Sequence, residues 1–299
     1  MKKVLFYTQN RWAFGSIHHA LCKELYRHGI YANLLDWTQQ YTADEFNLLN
    51  KTYDIFVTNP EAVLSLHRSG IPLNKIVTIA HAQWDLLLAR RDSGLDFFNE
   101  VREFAVISTI LKTKAAEFGI VREPKITPIG IHVDMFKSNI HQELKIIGYS
   151  GLKVTVNFFG EDCKRGHLVE KAVNDVAGLQ LAVHENYNHL CMPSYYKTID
   201  CIIQSSTEEA GGLPAMEGAA AGRLVIGTPV GFLGENGARG AGIVVPLNEQ
   251  GFIEETVKHL IYYRDNPAEY RQYCESAQQF ARENYDWSVV IDKWIEILE

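Results

Sequence analysis

Residues 205–231, SSTEEAGGLPAMEGAAAGRLVIGTPVG, hold the densest set of groups able to do chemistry in this 299-residue chain. Glu209 and Glu217 bracket Gly211, Gly212, Leu213 and Pro214. Two glycines let a backbone pass close to a ligand, and Pro214 suits a helix start, where its missing N–H is no loss. The free amides of such a start favour an anion or a hydroxyl. Glu217, expected in the first turn of that helix, carries a carboxylate that can accept both hydroxyls of a vicinal diol. Glu209 stands on the loop lip before it. An isolated pair of glutamates around a helix start reads more simply as two solvated charges, so the elements and motifs around the pair decide its meaning.

Those elements alternate. Residues 3–8 (KVLFYT) are a β-branched and aromatic run that stops at polar Gln9-Asn10-Arg11, as a buried parallel strand would. From Ser16 to His28 the apolar residues Ile17, Leu21 and Leu25 recur at helical spacing, and Gly29 follows as a stop. Further strands are predicted at 31–35, 55–58, 76–80 and 104–107. After Lys125–Ile129 and the segment PIGIHVDMF, the pattern restarts with strands near 144–149, 179–183, 200–204 and 224–227. Helices are expected near 167–176, 214–221 and 251–263, then at 268–285 and 287–298. This predicts an α/β chain of two doubly wound, Rossmann-like domains facing across a cleft, with ligand held at the carboxyl ends of the strands. The divisions predicted are 1–137, 138–284 and a terminal helix at 285–299. That helix carries Trp287, Val290, Ile291, Trp294, Ile295 and Leu298 on one face, which must find an apolar partner.

Composition narrows the function. The chain has 29 Lys and Arg against 36 Asp and Glu, a net charge of −7, and no basic stripe to follow a nucleic-acid backbone. Residues 1–135 hold 15 basic and 14 acidic side chains, while 136–299 hold 14 and 22. General nucleic-acid binding is therefore disfavoured, although an acidic half can still hold an anion through backbone amides and a few placed cations. Five scattered cysteines, Cys22, Cys163, Cys191, Cys201 and Cys274, form no C-x-x-C pair or zinc spacing and fit a reducing compartment. No run approaches the roughly 18 apolar residues of a membrane span. The start MKKVLFYTQNR has no signal-peptide core. A soluble, cytoplasmic chain is expected, with peripheral membrane contact left open.

With these elements in place, EAGGLPAME resembles the signature of the retaining nucleotide-sugar glycosyltransferases of the GT-B fold, in particular glycosyltransferase family 4. That signature is Glu, seven residues, Glu around a G-x-G-L-P core, matched here at Glu209, Gly212, Leu213, Pro214 and Glu217. The resemblance spreads along the chain: Gly15-Ser16 opening the first helix, His81 and Ser108 after strands, PIGIHVDMF between domains, IIGYSG at the first strand of the second domain, and YDWSVVIDKWIEIL at the end. It implies that Glu209 lies beside the donor sugar, that Glu217 binds the nucleotide ribose, and that the last helix crosses back to the N-terminal, acceptor-side domain. A histidine after a strand is ordinarily structural, yet the resemblance implies that His81 contacts the donor sugar.

The pattern also departs from the family. His132 stands where an Asp is usual, with Asp134 two residues on, and Leu152 replaces an Arg, with Lys153 beside it. The resemblance implies an Arg and a Lys at the leaving diphosphate, for which Lys153, Lys164 and Arg165 are the candidates, the last in the place of a Lys before Gly166. The residues placed at the reaction are His81, Glu209, Lys164 and Arg165. Those placed at the donor are Gly15, Lys153, Gly211, Gly212, Leu213, Pro214 and Glu217. His18 and His19 read as surface or packing residues, and Asp85, Arg90 and Arg91 as a solvated face or, more sharply, an acceptor contact.

The resemblance implies a metal-independent transfer from a nucleotide-diphosphate sugar to a glycan, lipid-linked or other hydroxyl acceptor, with no cofactor beyond that co-substrate. UDP is favoured as the carrier over GDP. No D-x-D triplet is present to hold a cation. Two other readings compete, a non-catalytic nucleotide-sugar-binding protein and a nucleotide-sugar epimerase. The first strand lacks the G-x-G-x-x-G of a nicotinamide site.

Overall fold

The computed structural model describes residues 1–9, 12–157, 160–185, 189–209 and 211–299, the side chains of 12–14 excepted. Asn10 and Arg11 of the first polar turn, and Ala210 of the glutamate motif, lie outside the described residues. Two compact units are present: Met1–Gly130 together with Trp287–Glu299, and Ile131–Asp286.

The first unit is built on six strands, β1 (Lys3–Thr8), β2 (Tyr31–Asp36), β3 (Ile55–Thr58), β4 (Ile76–Ala80), β5 (Glu103–Val106) and β6 (Lys125–Ile126). They lie in the order β2-β1-β3-β4-β5-β6, every pair parallel. Strands β3 and β4 are buried along their whole length, which is why they read as unbroken apolar runs instead of alternating ones. The order reverses at β1, so the carboxyl ends of β1 and β3 form a switch point. Helix α1 (Trp12–Arg27) follows β1 and begins before the expected Ser16, which puts Gly15 inside its first turn and not ahead of it. Helix α2 (Gln83–Ser93) follows β4.

In the second unit, β7 (Ile146–Ser150), β8 (Gln180–His184), β9 (Cys201–Gln204), β10 (Leu224–Gly227) and β11 (Ile243–Val244) form a parallel sheet in the order β11-β10-β9-β7-β8. The two-residue β11 is too short to leave a pattern and went unforeseen. Helices α3 (Gly166–Asn174), α4 (Leu213–Ala220), α5 (Glu249–Asp265) and α6 (Pro267–Asn284) cover the sheet. Its core gathers Ile147, Val169, Leu224, Ile226, Phe252 and Tyr270. Small residues keep α4 slim: a Cβ added at Gly218 would lie 2.4 Å from Ile202 on β9. The reversal here falls between β7 and β9, the strands that precede the two loops singled out by the sequence.

Helix α7 (Trp287–Leu298) completes the first unit. Trp287, Val290, Ile291, Trp294, Ile297 and Leu298 are buried, Ile297 taking the place expected for half-buried Ile295. Trp294 Nε1 donates to the Pro128 carbonyl at 2.8 Å, and Lys2 Nζ to that of Leu298 at 2.7 Å. Gly130 is glycine for a steric reason, because a Cβ would meet the Trp287 ring at 2.6 Å. The units divide at Gly130 and not near 137, within PIGIHVDMF. Val133 and Phe136 are buried in the second unit, where Phe136 meets the Tyr196 ring at 5.8 Å.

Candidate functional site

Because β7 and β9 are neighbours, the loops that leave their carboxyl ends meet. Ser205 Oγ donates to the carbonyls of Lys164 (2.6 Å) and Arg165 (3.1 Å), and the Thr207 N–H donates to that of Cys163 (2.9 Å). Asp162 organises the first loop by accepting the backbone N–H of Thr155 (3.1 Å), Lys164 (3.0 Å) and Arg165 (3.2 Å). Burial pushes its carboxyl up, but these N–H groups prevail and hold it below the usual carboxylate range.

Adjacent Lys164 and Arg165 then part company. Arg165 adopts a left-handed backbone, φ 50°, uncommon for a residue with a Cβ. Its guanidinium is buried, donating to the carbonyls of Ser205 (2.8 Å) and Leu247 (2.6 Å) over the Phe252 ring. Those two bonds make it a strut between loops, while its Nη2 is buried with no hydrogen-bond partner among the described residues. Lys164 instead meets the carboxylate of Glu209, which also accepts from Ser206 Oγ at 2.7 Å. Lys153 places its ammonium on Glu170 at 3.3 Å on the exposed flank of α3, while its carbonyl takes the Gly166 N–H at 2.8 Å. Leu152 contributes a carbonyl to Tyr149 Oη. Of the three expected cations, Lys164 alone reaches Glu209.

Gly212 caps α4 in the left-handed region, φ 75°, followed by Leu213 and Pro214. The Ala215 N–H closes the first turn on the Gly212 carbonyl at 3.0 Å. Gly211 accepts the Phe232 N–H at 2.9 Å, which fixes the loop from the far side. Glu217 is the fifth residue of α4, one residue further in than expected, and 1% exposed. Its Oε1 lies 2.5 Å from Nε2 of His189. Burial lowers the affinity of His189 for a proton, and the hydrogen bond and charge of Glu217 outweigh that and raise it. Sequence reading missed His189, an isolated histidine in an irregular stretch with no spacing to mark it.

In the first unit His81 follows β4 and is 1% exposed. Its ring meets His18 edge-on at 5.2 Å, and His18 leans on Phe6 at the same distance. His18 is thus a core residue, whereas His19 is exposed. Asp85 is not a solvated group: its buried carboxylate accepts the N–H of His81 (2.6 Å) and Ala82 (3.0 Å), capping α2. Burial, then the nearby charge of Glu61, push that carboxyl well above its usual range. Arg90 is exposed, and Arg91 pairs with Asp92. Ser108 caps the helix after β5 by accepting the Leu111 N–H at 3.2 Å.

Burial pushes the His81 imidazole down to about 4. An unfolded histidine near 6.5 therefore binds protons that the folded one refuses, so His81 contributes a loss of about 3 kcal/mol as pH falls from about 6.5 toward 4, to which buried His18 adds and which the raised carboxyl of Asp85 opposes. Thermal melts of wild type and His81→Asn across that range should differ in slope by this contribution. An unchanged slope in a folded variant would assign the effect elsewhere.

Among the described residues no three His, Cys, Asp or Glu side chains converge as a metal ion would require, and no helix is long and apolar enough to cross a membrane. No protein-family model and no curated protein sequence matches the chain. Solved structures do. Anabaena HepE in complex with UDP and glucose superposes with a TM-score of 0.72 at 12% identity, covering 100% of this chain and 99% of that one. A glycosyltransferase from Rickettsia africae gives 0.71 at 14% identity, covering 99% and 98%. Sucrose-phosphate synthase from Thermosynechococcus elongatus gives 0.69 at 12%, also covering 99% and 98%. The chain is therefore similar over its whole length to these proteins and has their GT-B type of fold, two parallel-sheet Rossmann-like units in series.

Proposed function

We propose that this protein is a retaining glycosyltransferase that moves a sugar from a nucleotide-diphosphate sugar to a hydroxyl acceptor without a bound metal. The observation that carries the reading is Glu209, held between Lys164 and Ser206 immediately before the glycine-lined start of α4, at the switch point of its sheet. UDP is the favoured carrier, since HepE was crystallised with UDP, with UDP-glucose, and with UDP and glucose.

In this reading the start of α4 and Lys164 face the diphosphate, and Glu209 orients the sugar. The bond from the anomeric carbon to the β-phosphate oxygen lengthens and breaks as charge grows on the phosphate, which the amides and the ammonium stabilise. The acceptor oxygen bonds to the anomeric carbon from the same face, and its proton passes to the departing phosphate. Glu217 serves the ribose, exchanging His189 for a diol.

Calorimetric titration with UDP, GDP and ADP in the presence of a chelator tests the donor. UDP should bind, and Glu217→Ala should weaken it by about 1–3 kcal/mol through loss of charge-assisted hydrogen bonds. Binding of NAD in place of any nucleotide diphosphate would overturn the assignment. Sugar release and transfer from a panel of nucleotide sugars separates an enzyme from a non-catalytic binder.

A further inference from the structure

We propose that Gln204 is a specificity-determining residue that reads one hydroxyl of the transferred sugar at the start of α4; the proposal rests on the glycosyl-transfer reading above. Gln204 ends β9 and is 4% exposed. Its Oε1 and Nε2 are both buried and have no hydrogen-bond partner among the described residues. Leaving both ends of a primary amide unpaired in a protein interior is costly, and such a group persists where a ligand supplies the missing bonds.

Its neighbours make the omission specific. Ser205 donates to the Lys164 carbonyl, Ser206 to Glu209, and Thr228 to the Ser206 carbonyl at 2.5 Å. Arg165 Nη2 and Glu208 Oε2 are also buried without a partner here, but those side chains make other hydrogen bonds, whereas both polar atoms of the Gln204 side chain are unpaired among the described residues. Two glycines set its direction. A Cβ on Gly227 of β10 would lie 3.0 Å from Gln204 Cβ, so the strand beside it must be bare for the side chain to pass. A Cβ on Gly212 would lie 2.7 Å from Oε1 and 3.0 Å from Nε2, so the amide rests against the cap residue of α4. The unpaired amide and the first amides of an eight-residue helix thus share one end of α4, on the loop that carries Glu209.

The chemistry of the amide selects the ligand. It offers two N–H donors and a carbonyl acceptor, matching a hydroxyl, which both donates and accepts. A phosphate oxygen would use the donors and be repelled by Oε1. Lys164 and the helix start suit the diphosphate, and Gln204 suits the sugar.

The test compares wild type with Gln204→Leu and Gln204→Glu in UDP affinity, in kcat/KM over UDP-glucose, UDP-galactose, UDP-xylose and UDP-N-acetylglucosamine, and in melting temperature. With Q204L, UDP affinity should stay within about threefold, while kcat/KM for the preferred donor falls about tenfold to a hundredfold and the preference over the others collapses. The melting temperature should hold or rise, because two unpaired groups are removed. Unchanged donor preference would overturn the proposal, as would a lower melting temperature with a parallel loss of UDP affinity, the mark of a structural glutamine. If wild type binds no nucleotide, the donor reading fails, and the melting arm decides separately: a stabilised Q204L keeps Gln204 as a ligand group, and a destabilised one removes it.

Discussion

Ending the chain at Asp286 is expected to unfold the first unit while the second keeps its fold and its nucleotide affinity. The deletion removes α7 alone, which belongs to the first unit although it is last in sequence. Trp287 and Trp294 are 1% and 0% exposed, and Val290, Ile291, Ile297 and Leu298 are buried beside them. Each such side chain stabilises by about 1.5–3 kcal/mol on burial, so six of them rival the roughly 5–15 kcal/mol that holds an ordinary domain together. A milder version is Trp294→Ala, which leaves a cavity and an unmet Pro128 carbonyl and should cost about 3–5 kcal/mol. Calorimetry should show one transition lost from the truncated protein and one lowered in W294A, with a second transition unmoved and still raised by UDP. A truncated chain with both transitions intact and full transfer activity would refute the packing of α7 on the first unit.

For Glu209→Gln, turnover should fall by about a hundredfold to a thousandfold with UDP affinity nearly unchanged. The substitution keeps the shape of the side chain and removes its charge, leaving Lys164 without the carboxylate it meets and the sugar without its anionic neighbour. Losses confined to kcat mark a group used in the transition state, whereas a rise in KM alone would mark simple binding. Combining the change with Lys164→Met separates the two roles. If the residues act as one unit, the double variant should lose little more than the worse single variant. Additive losses would make them independent, and full turnover in E209Q would place Glu209 outside the reaction.

Much of this architecture was legible in the residue order because its signals are local. A buried parallel strand is a short apolar run, as at β1, β3, β4 and β10, and a helix that covers a sheet repeats at its own period, as in α1 and α7. The motif EAGGLPAME announced a helix start within nine residues, and α4 begins there, at Leu213. Where the reading slipped, the signal was short or ambiguous: β11 has two residues, and Glu217 sits one residue deeper than Pro214 suggested because α4 starts at Leu213.

The sequence by itself thus determined the parallel α/β pattern, the two units, the glutamate loop and an apolar last helix in need of a partner. Tertiary structure alone decided which residues meet. Strand order places β7 beside β9, and that adjacency, which no local pattern encodes, carries Lys164 to Glu209. The left-handed turn at Arg165 then assigns one cation of an adjacent pair to the carboxylate and buries the other as a strut. His189 reaches Glu217, His18 lies under His81 and Asp85 caps α2 through contacts set by how the elements pack. An apolar stripe states that a helix must be covered, but not by what. The surface offered by Gly130 and Pro128 chose the first unit for α7, because only a folded chain brings its two ends together.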